Sequence, residues 1–180
     1  HYNKAGLVMY TLSDFIGRSR FNKALRDFID RFRYQSEPYA NIGTFVQTIK
    51  ENSPENLKYL IEDTFEKITL YKNKAKDASA IKNEDGTYSV TFTVEAKKVY
   101  SDSLGNETPT IINDWLEVGV LGDIELEGFK KEVPIYIEKV MIKDSLSTYT
   151  FVVDQKPTKA GIDPMNKFID RDIKDNMMRV

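Results

Sequence analysis

The chain has 180 residues, 41% hydrophobic and 30% charged, and its 26 Lys and Arg against 28 Asp and Glu leave a net charge of -2. That is one ordinary domain or two small ones with a real core; it excludes a disordered chain and a nucleic-acid binder relying on a basic surface. Without cysteine and with His1 as the sole histidine, the chain can build no disulfide, no complete zinc site and no Ser-His or Cys-His pair.

No apolar run approaches the ~20 residues of a membrane span, and no stretch reads as a secretory signal. The chain opens mid-pattern without Met and is expected to be part of a longer protein, of which it is a soluble fragment.

The first segment, roughly Asn3 to Ile16, carries Leu7, Val8, Met9, Tyr10, Leu12, Phe15 and Ile16, which predicts a helix buried on most sides and stopped at Gly17. Ser19 is the expected N-cap of a second helix. There Phe21, Ala24, Leu25, Phe28, Ile29 and Phe32 form one apolar stripe and Arg20, Lys23, Arg26, Asp27, Asp30 and Arg31 the other face. The stripe reads as core packing, because its spacing is helical and inward. After a loop with Pro38, a short helix is expected around Ile42 to Lys50. Ser53-Pro54-Glu55 has the form of a helix start, a capping hydroxyl followed by proline and an acid, with Leu57, Leu60, Ile61 and Phe65 as the buried side. Four helices in the first 70 residues predict a helical bundle over 1–70.

After about Lys74 the period becomes two. Tyr88, Val90, Phe92, Val94 and Ala96 alternate with polar residues, and Asp85-Gly86 predicts a hairpin back onto Ala78 to Lys82. Ser101 to Thr108 reads as a polar loop. Further strands are expected at Trp115 to Val120, at Ile135 to Ile142 and at Tyr149 to Val153. Short alternating strands without helices between them predict an antiparallel, immunoglobulin-like β-sandwich over about 76–155. The Pro-, Asp- and Lys-rich tail to 180 is expected to lie against it, so the fold class is α+β.

The residue clusters outside this frame have ordinary readings. Asp170, Asp172, Asp175 and Asn176 lack the glycine and terminal glutamate of a calcium loop, and solvated or capping roles are expected. Glu125, Glu127, Glu132 and Glu138 lie at polar or loop positions and make no glycosidase pair. Trp115 is expected in packing. Lys72, Lys74 and Lys76, balanced by Glu66 and Asp77, read as a solvated linker, and Lys4 as a surface cation.

His1-Tyr2-Asn3-Lys4-Ala5 ahead of an apolar helix, Asp14-Phe15-Ile16-Gly17, the spacing to the Phe21 helix and the Ser53-Pro54 start resemble the aminopeptidase N-like zinc metallopeptidases, the family of leukotriene hydrolase. Lys156-Pro157-Thr158-Lys159-Ala160-Gly161-Ile162-Asp163-Pro164, followed by Asp170-Arg171 and Asp175-Asn176, is similar to a bacterial branch of that family. Some members of that branch are fused to ABC-transporter permeases. The resemblance spans essentially the whole chain. Asn3 stands where the family has Glu, and Ala5 where it has Gly.

The resemblance implies that residues 1–70 end a thermolysin-like catalytic domain and that 76–180 form an accessory β-sandwich domain with its tail. The family's HExxH motif and downstream glutamate are missing from this sequence and would lie upstream of His1. By resemblance the catalytic residue carried here is Tyr2, whose phenol would stabilise the oxyanion in the parent. The fragment itself would hold no metal or cofactor, and zinc would belong to the parent. The implied partners are the upstream catalytic domain and a peptide substrate, in a cell-envelope or membrane-associated parent. In the alternative reading the parent is a catalytically degenerate binding or assembly module of a transporter, with the transporter membrane domain as partner.

Overall fold

The computed structural model describes residues 2–126 and 128–180, without the side chains of Tyr2 and Asn3. The chain is α+β: helices come first, then strands in two antiparallel sheets. It divides into two compact units, one running through Thr69 and the other spanning Leu70–Val180. No described helix is long and apolar enough to cross a membrane.

In the first unit, α1 (Tyr2–Ile16) buries Val8, Leu12, Phe15 and Ile16. Lys4, Tyr10 and Asp14 are exposed, so the helix is one-sided where the sequence predicts burial nearly all round. Its apolar residues include Tyr10, which turns its face outward. α2 (Arg18–Phe32) is capped by Gly17 at φ 96°, and the expected Ser19 cap falls inside the helix. A positive φ suits glycine and ends α1 one residue before α2 begins. Phe21 and Ala24 are buried on α2, while Lys23 and Asp27 pair at 2.6 Å on its outer face.

α3 (Ile42–Glu51) is started by a capping box that the sequence reading did not identify: Asn41 Oδ1 accepts from Thr44 N at 3.1 Å, and Thr44 Oγ1 accepts from Asn41 N at 3.0 Å. Phe45 sets its ring edge-on to Phe28 at 5.2 Å and to Phe65 at 6.0 Å. The predicted Ser53-Pro54 helix is broken into three pieces. Pro54 precedes a single 3₁₀ turn at Glu55–Leu57, α4 is only Lys58–Ile61, and a π-helical turn follows over Glu62–Glu66. The wide turn carries Lys67 N to Glu62 O at 3.0 Å.

Among the described residues, β1 (Ile68–Lys82) leads into the second unit, which continues with β2 (Tyr88–Ser101), β3 (Glu107–Thr110), β4 (Asp114–Leu126), β5 (Phe129–Ile142), β6 (Leu146–Val153), β7 (Pro157–Ile162) and β8 (Met177–Arg179). β1 starts at Ile68, several residues before the predicted switch of period, so Lys72, Lys74 and Lys76 belong to a strand and no linker. The β1–β2 turn is the expected one: Gly86 has φ 90°, and Asp85 accepts from Thr87 N at 2.9 Å. On its other side β2 pairs with β6 along residues 88–95 and with β3 along 98–101, so β6 and β3 lie end to end.

The second sheet has the order β5-β4-β7-β8. The predicted tail is therefore part of a sheet: β7 pairs with β4, and β8 covers β7. The β4–β5 ladder slips between Val120 and Leu121, leaving Ile135 as an extra residue beside Pro134, which has no N–H to give.

The core of this unit comes from the inward phase of the strands. Val90, Phe92, Val94 and Ala96 of β2 and Leu116, Val118 and Val120 of β4 are all at most 1% exposed. β4 departs from the expected alternation. Glu117 and Gly119 on its other face are buried as well, because residues 163–176 cross that face as a strap and bring Lys167 to Glu117 and Pro164 to Gly119.

Candidate functional site

Two constellations of buried ionisable side chains stand out in the β unit, and both are anchored on β4. The first is held by the inward phase of the strands. Lys98 continues the series 90, 92, 94, 96 on β2, and Asp114 begins the series 114, 116, 118, 120 on β4. Lys98 Nζ donates to Asp114 Oδ1 at 2.8 Å, and Tyr71 Oη from β1 donates to Asp114 Oδ2 at 2.7 Å. Both charged side chains are at most 5% exposed. The pair ties one sheet to the other through a charge-assisted hydrogen bond with each carboxylate oxygen engaged.

The second constellation lies on the opposite face of β4, under the strap. Glu117 Oε1 accepts from Lys167 Nζ at 2.5 Å, and the Glu117 carbonyl accepts from Asp163 N at 2.7 Å. Asp163 sits at φ 47° and folds its carboxylate back over the following turn. Its oxygens accept from Lys167 N at 2.8 Å and Phe168 N at 3.0 Å. Burial pushes the Asp163 carboxyl up to about 6, with Glu117 adding to the rise while the two backbone bonds and Lys167 pull the other way. Asp163 is 0%, Glu117 2% and Lys167 6% exposed, so the trio offers no surface to a substrate. Its chemistry is that of a clasp.

The clasp holds the strap along the edge of β1. Tyr71 N donates to Ile169 O at 2.8 Å, Asn73 N to Asp170 Oδ2 at 2.7 Å and Ala75 N to Asp175 O at 2.8 Å. Phe168 packs its ring against Tyr71 at 4.8 Å. Gly161 on β7 lets the backbone of Asn176 and Met177 approach, and the Asn176 carbonyl accepts from Ile162 N at 2.9 Å. The Asn73 and Asn176 side chains are buried, and their amide atoms find no hydrogen-bond partner among the described residues.

Tyr2 opens α1, and its side chain lies outside those described, as do His1 and Glu127. Lys4 is exposed, as expected. Asp170 and Asp172 cap backbone amides, Asp172 N to Asp170 Oδ1 at 3.0 Å and Lys174 N to Asp172 Oδ1 at 3.4 Å. Asn176, expected at a solvated or capping position, is instead fully buried, because the strap turns inward to form β8.

Lys72, Lys74 and Lys76 pair with Glu107 (2.7 Å), Asp175 (3.2 Å) and Glu95 (4.0 Å), where the sequence suggests Glu66 and Asp77. Glu132 takes Lys159 at 2.8 Å, and Glu138 accepts from the Tyr136 hydroxyl at 2.8 Å. Trp115 is half-buried on β4 opposite Met141. Among the described residues, no group of three or more His, Cys, Asp or Glu side chains is placed to hold a metal ion.

A cleft of about 440 Å³ opens between β3 and the start of β6, lined by Lys72, Lys97, Lys98, Lys143 and the apolar Val99 and Ile112 among others. Three of these lysines are already engaged by carboxylates: Lys72 by Glu107, Lys97 by Glu95 and Lys98 by Asp114. The cleft therefore presents much less positive potential than its lysine count suggests.

A scan of protein-family models returns no match for the chain, and a search of curated proteins returns no relative.

Proposed function

We propose that this chain is the C-terminal part of a protein related to the aminopeptidase N-like zinc peptidases, with helices that complete a catalytic domain and a non-catalytic β unit behind it. In this reading the helices form a bundle and the strands an immunoglobulin-like sandwich. The strand order supports the latter: β1-β2-β6 against β5-β4-β7-β8 is a two-sheet, all-antiparallel arrangement with a return from β6 to β7 in the other sheet.

The observation that carries the proposal is the use of the quoted tail residues. Gly161, Asp163 and Pro164 of the Lys156–Pro164 stretch and Asp170, Asp175 and Asn176 beyond it all serve to seat the strap. A sequence signature spent on seating a strap fits an accessory module better than a catalytic one. Zinc, the peptide site and a cell-envelope or membrane-associated setting then belong to the parent.

Two measurements test this. Calorimetric titration of the isolated chain with zinc, alongside a fluorogenic aminoacyl substrate, is expected to show no submicromolar site and no turnover, since carboxylates alone are poor zinc traps. Stoichiometric tight binding or zinc-dependent hydrolysis would overturn the reading of the fragment. In the parent, Tyr2→Phe is expected to lower kcat by roughly 10²–10³-fold with zinc content unchanged, the loss of a single oxyanion donor. A variant that keeps more than about half of kcat removes Tyr2 from the mechanism. The coding sequence ahead of His1 decides the alternative: without an HExxH helix, the parent is a binding or assembly module of a transporter.

A further inference from the structure

One side of β6 is an open edge. The strand pairs with β2 along Leu146 to Val153 in unbroken register, and among the described residues no strand pairs with its other side. Ala96 N donates to Ser145 O at 2.9 Å, which makes that opposed pair a hydrogen-bonded one. The alternation of an antiparallel ladder then commits Ser147, Tyr149, Phe151 and Val153 to β2. It turns the main-chain N–H and C=O of Leu146, Thr148, Thr150 and Val152 outward. The side chains agree: Thr91 meets Thr150, and Thr93 meets Thr148, each Oγ1 to Oγ1 at 2.9 Å, the close approach of non-hydrogen-bonded pairs.

The other edges of the β unit carry features that discourage pairing. β5 has Lys130, Lys131, Lys139 and Pro134 and a register slip. β1 is covered by the strap at Tyr71, Asn73 and Ala75 and then carries Lys76, Asp77 and Lys82. β3 and β8 are only four and three residues long. β6 has none of these features. Its eight residues include no charge, proline or glycine, and Leu146 and Val152 near its ends are 56% and 58% exposed. Asp144 and Asp154 lie outside the strand, in the bends at either end.

The open edge is also complementary to itself. When two copies are set antiparallel about a two-fold axis beside Tyr149, every outward residue meets an outward residue. Leu146 faces Val152 of the second copy and Thr148 faces Thr150, so each opposed pair can exchange N–H···O=C bonds. Apolar side chains meet at the two ends, β-branched ones in the middle, and no charge opposes another along the strand. We propose that the outer edge of β6 docks a second copy of this chain, β6 against β6, to make one continuous sheet across a two-fold dimer. Such pairing is isologous and uses up the edge on both copies, so association stops at two. The surface belongs to the β unit and rests on no assumption about the parent's chemistry.

Sedimentation velocity of the whole chain from about 1 μM to about 500 μM, joined to amide hydrogen exchange at both ends of that range, tests this. A monomer–dimer equilibrium is expected. The Leu146, Thr148, Thr150 and Val152 amides should gain protection in the dimer, while those of Ser147, Tyr149 and Phe151, already bonded to β2, keep theirs. Thr150→Pro deletes an outward N–H that β2 does not use, and by symmetry it removes two bonds of the dimer. The dissociation constant is expected to rise about tenfold or more. A chain that stays monomeric to the top of the range overturns the proposal, as does growth beyond the dimer. So does a dimer in which the four outward amides exchange as they do in the monomer, because its interface lies elsewhere. Should Thr150→Pro fail to fold, Val152→Lys reads the same edge, replacing an exposed apolar side chain by a charge without touching a main-chain bond. An unchanged dissociation constant in whichever variant folds is the remaining overturning result.

Discussion

Gly161→Ala is expected to destabilise the β unit by about 3 kcal/mol, the upper end of what overpacking costs. A Cβ at this position runs into the Asn176 carbonyl oxygen and comes within 3.0 Å of both Asn176 C and Met177 Cα. All three are main-chain atoms, so no side chain can rotate away. The only relief is to push β8 off β7, which breaks the Ile162 N to Asn176 O bond and the three-residue β7–β8 register. Urea unfolding followed by the emission of Trp115, the single tryptophan, reports on this unit. Gly6→Ala is the matched control: it meets nothing within 4 Å, and it lies inside a helix, where it should be neutral or gain up to ~1 kcal/mol. A cost below about 1 kcal/mol for Gly161→Ala would show that the strand separates freely and that the close approach is not a constraint.

Lys98→Met is expected to cost about 3–5 kcal/mol, because it strands Asp114 in the core with a hydroxyl as its one remaining neighbour at hydrogen-bond distance in this cluster. The triple replacement Lys98→Met, Asp114→Leu and Tyr71→Phe removes every polar member together and should recover most of that loss. The two outcomes separate the worth of the pair from the penalty of orphaning one partner. If the single replacement costs less than about 1 kcal/mol, the pair is not sealed from water in solution.

Periodicity carried much of this fold. The stripe on α2 and the series Val90 to Ala96 on β2 repeat at the spacings their elements need, and Asp85-Gly86 marks a hairpin because Gly86 takes the positive φ that few other residues tolerate. The tail strands escaped because β7 is only six residues long and mixes Lys159 and Gly161 into its pattern. Their strand form comes from pairing with β4, which local sequence does not report.

The same kind of gap hid the clasp. Lys98 and Asp114 each lie one step beyond an apolar series that the sequence shows, Val90 to Ala96 and Leu116 to Val120, so the signal for a buried pair was present in the spacing but was not read. Glu117 gave no such sign. It sits on the phase that an open sheet would present to water, and what buries it arrives fifty residues later as Lys167. The helix predicted from Ser53 is cut short on both sides of α4, by the 3₁₀ turn after Pro54 and by the π turn over Glu62–Glu66, although the apolar spacing Leu57, Leu60, Ile61, Phe65 is itself helical.

The placement of β7 between β4 and β8 has a consequence for biosynthesis. β1 through β6 leave the ribosome before any residue of β7 does, so β4 waits with one edge open and Val118 and Val120 lacking their neighbours Ile162 and Ala160. The β1 edge waits longer still, for partners about a hundred residues downstream at Ile169 and Asp175. Contacts of that span close slowly, and half-made sheets with open edges are the species that associate wrongly. A nascent chain from which β6 has emerged and β7 has not would expose both edges at once, so the period in which this unit most needs a chaperone is set by how soon β7 and the strap follow β6.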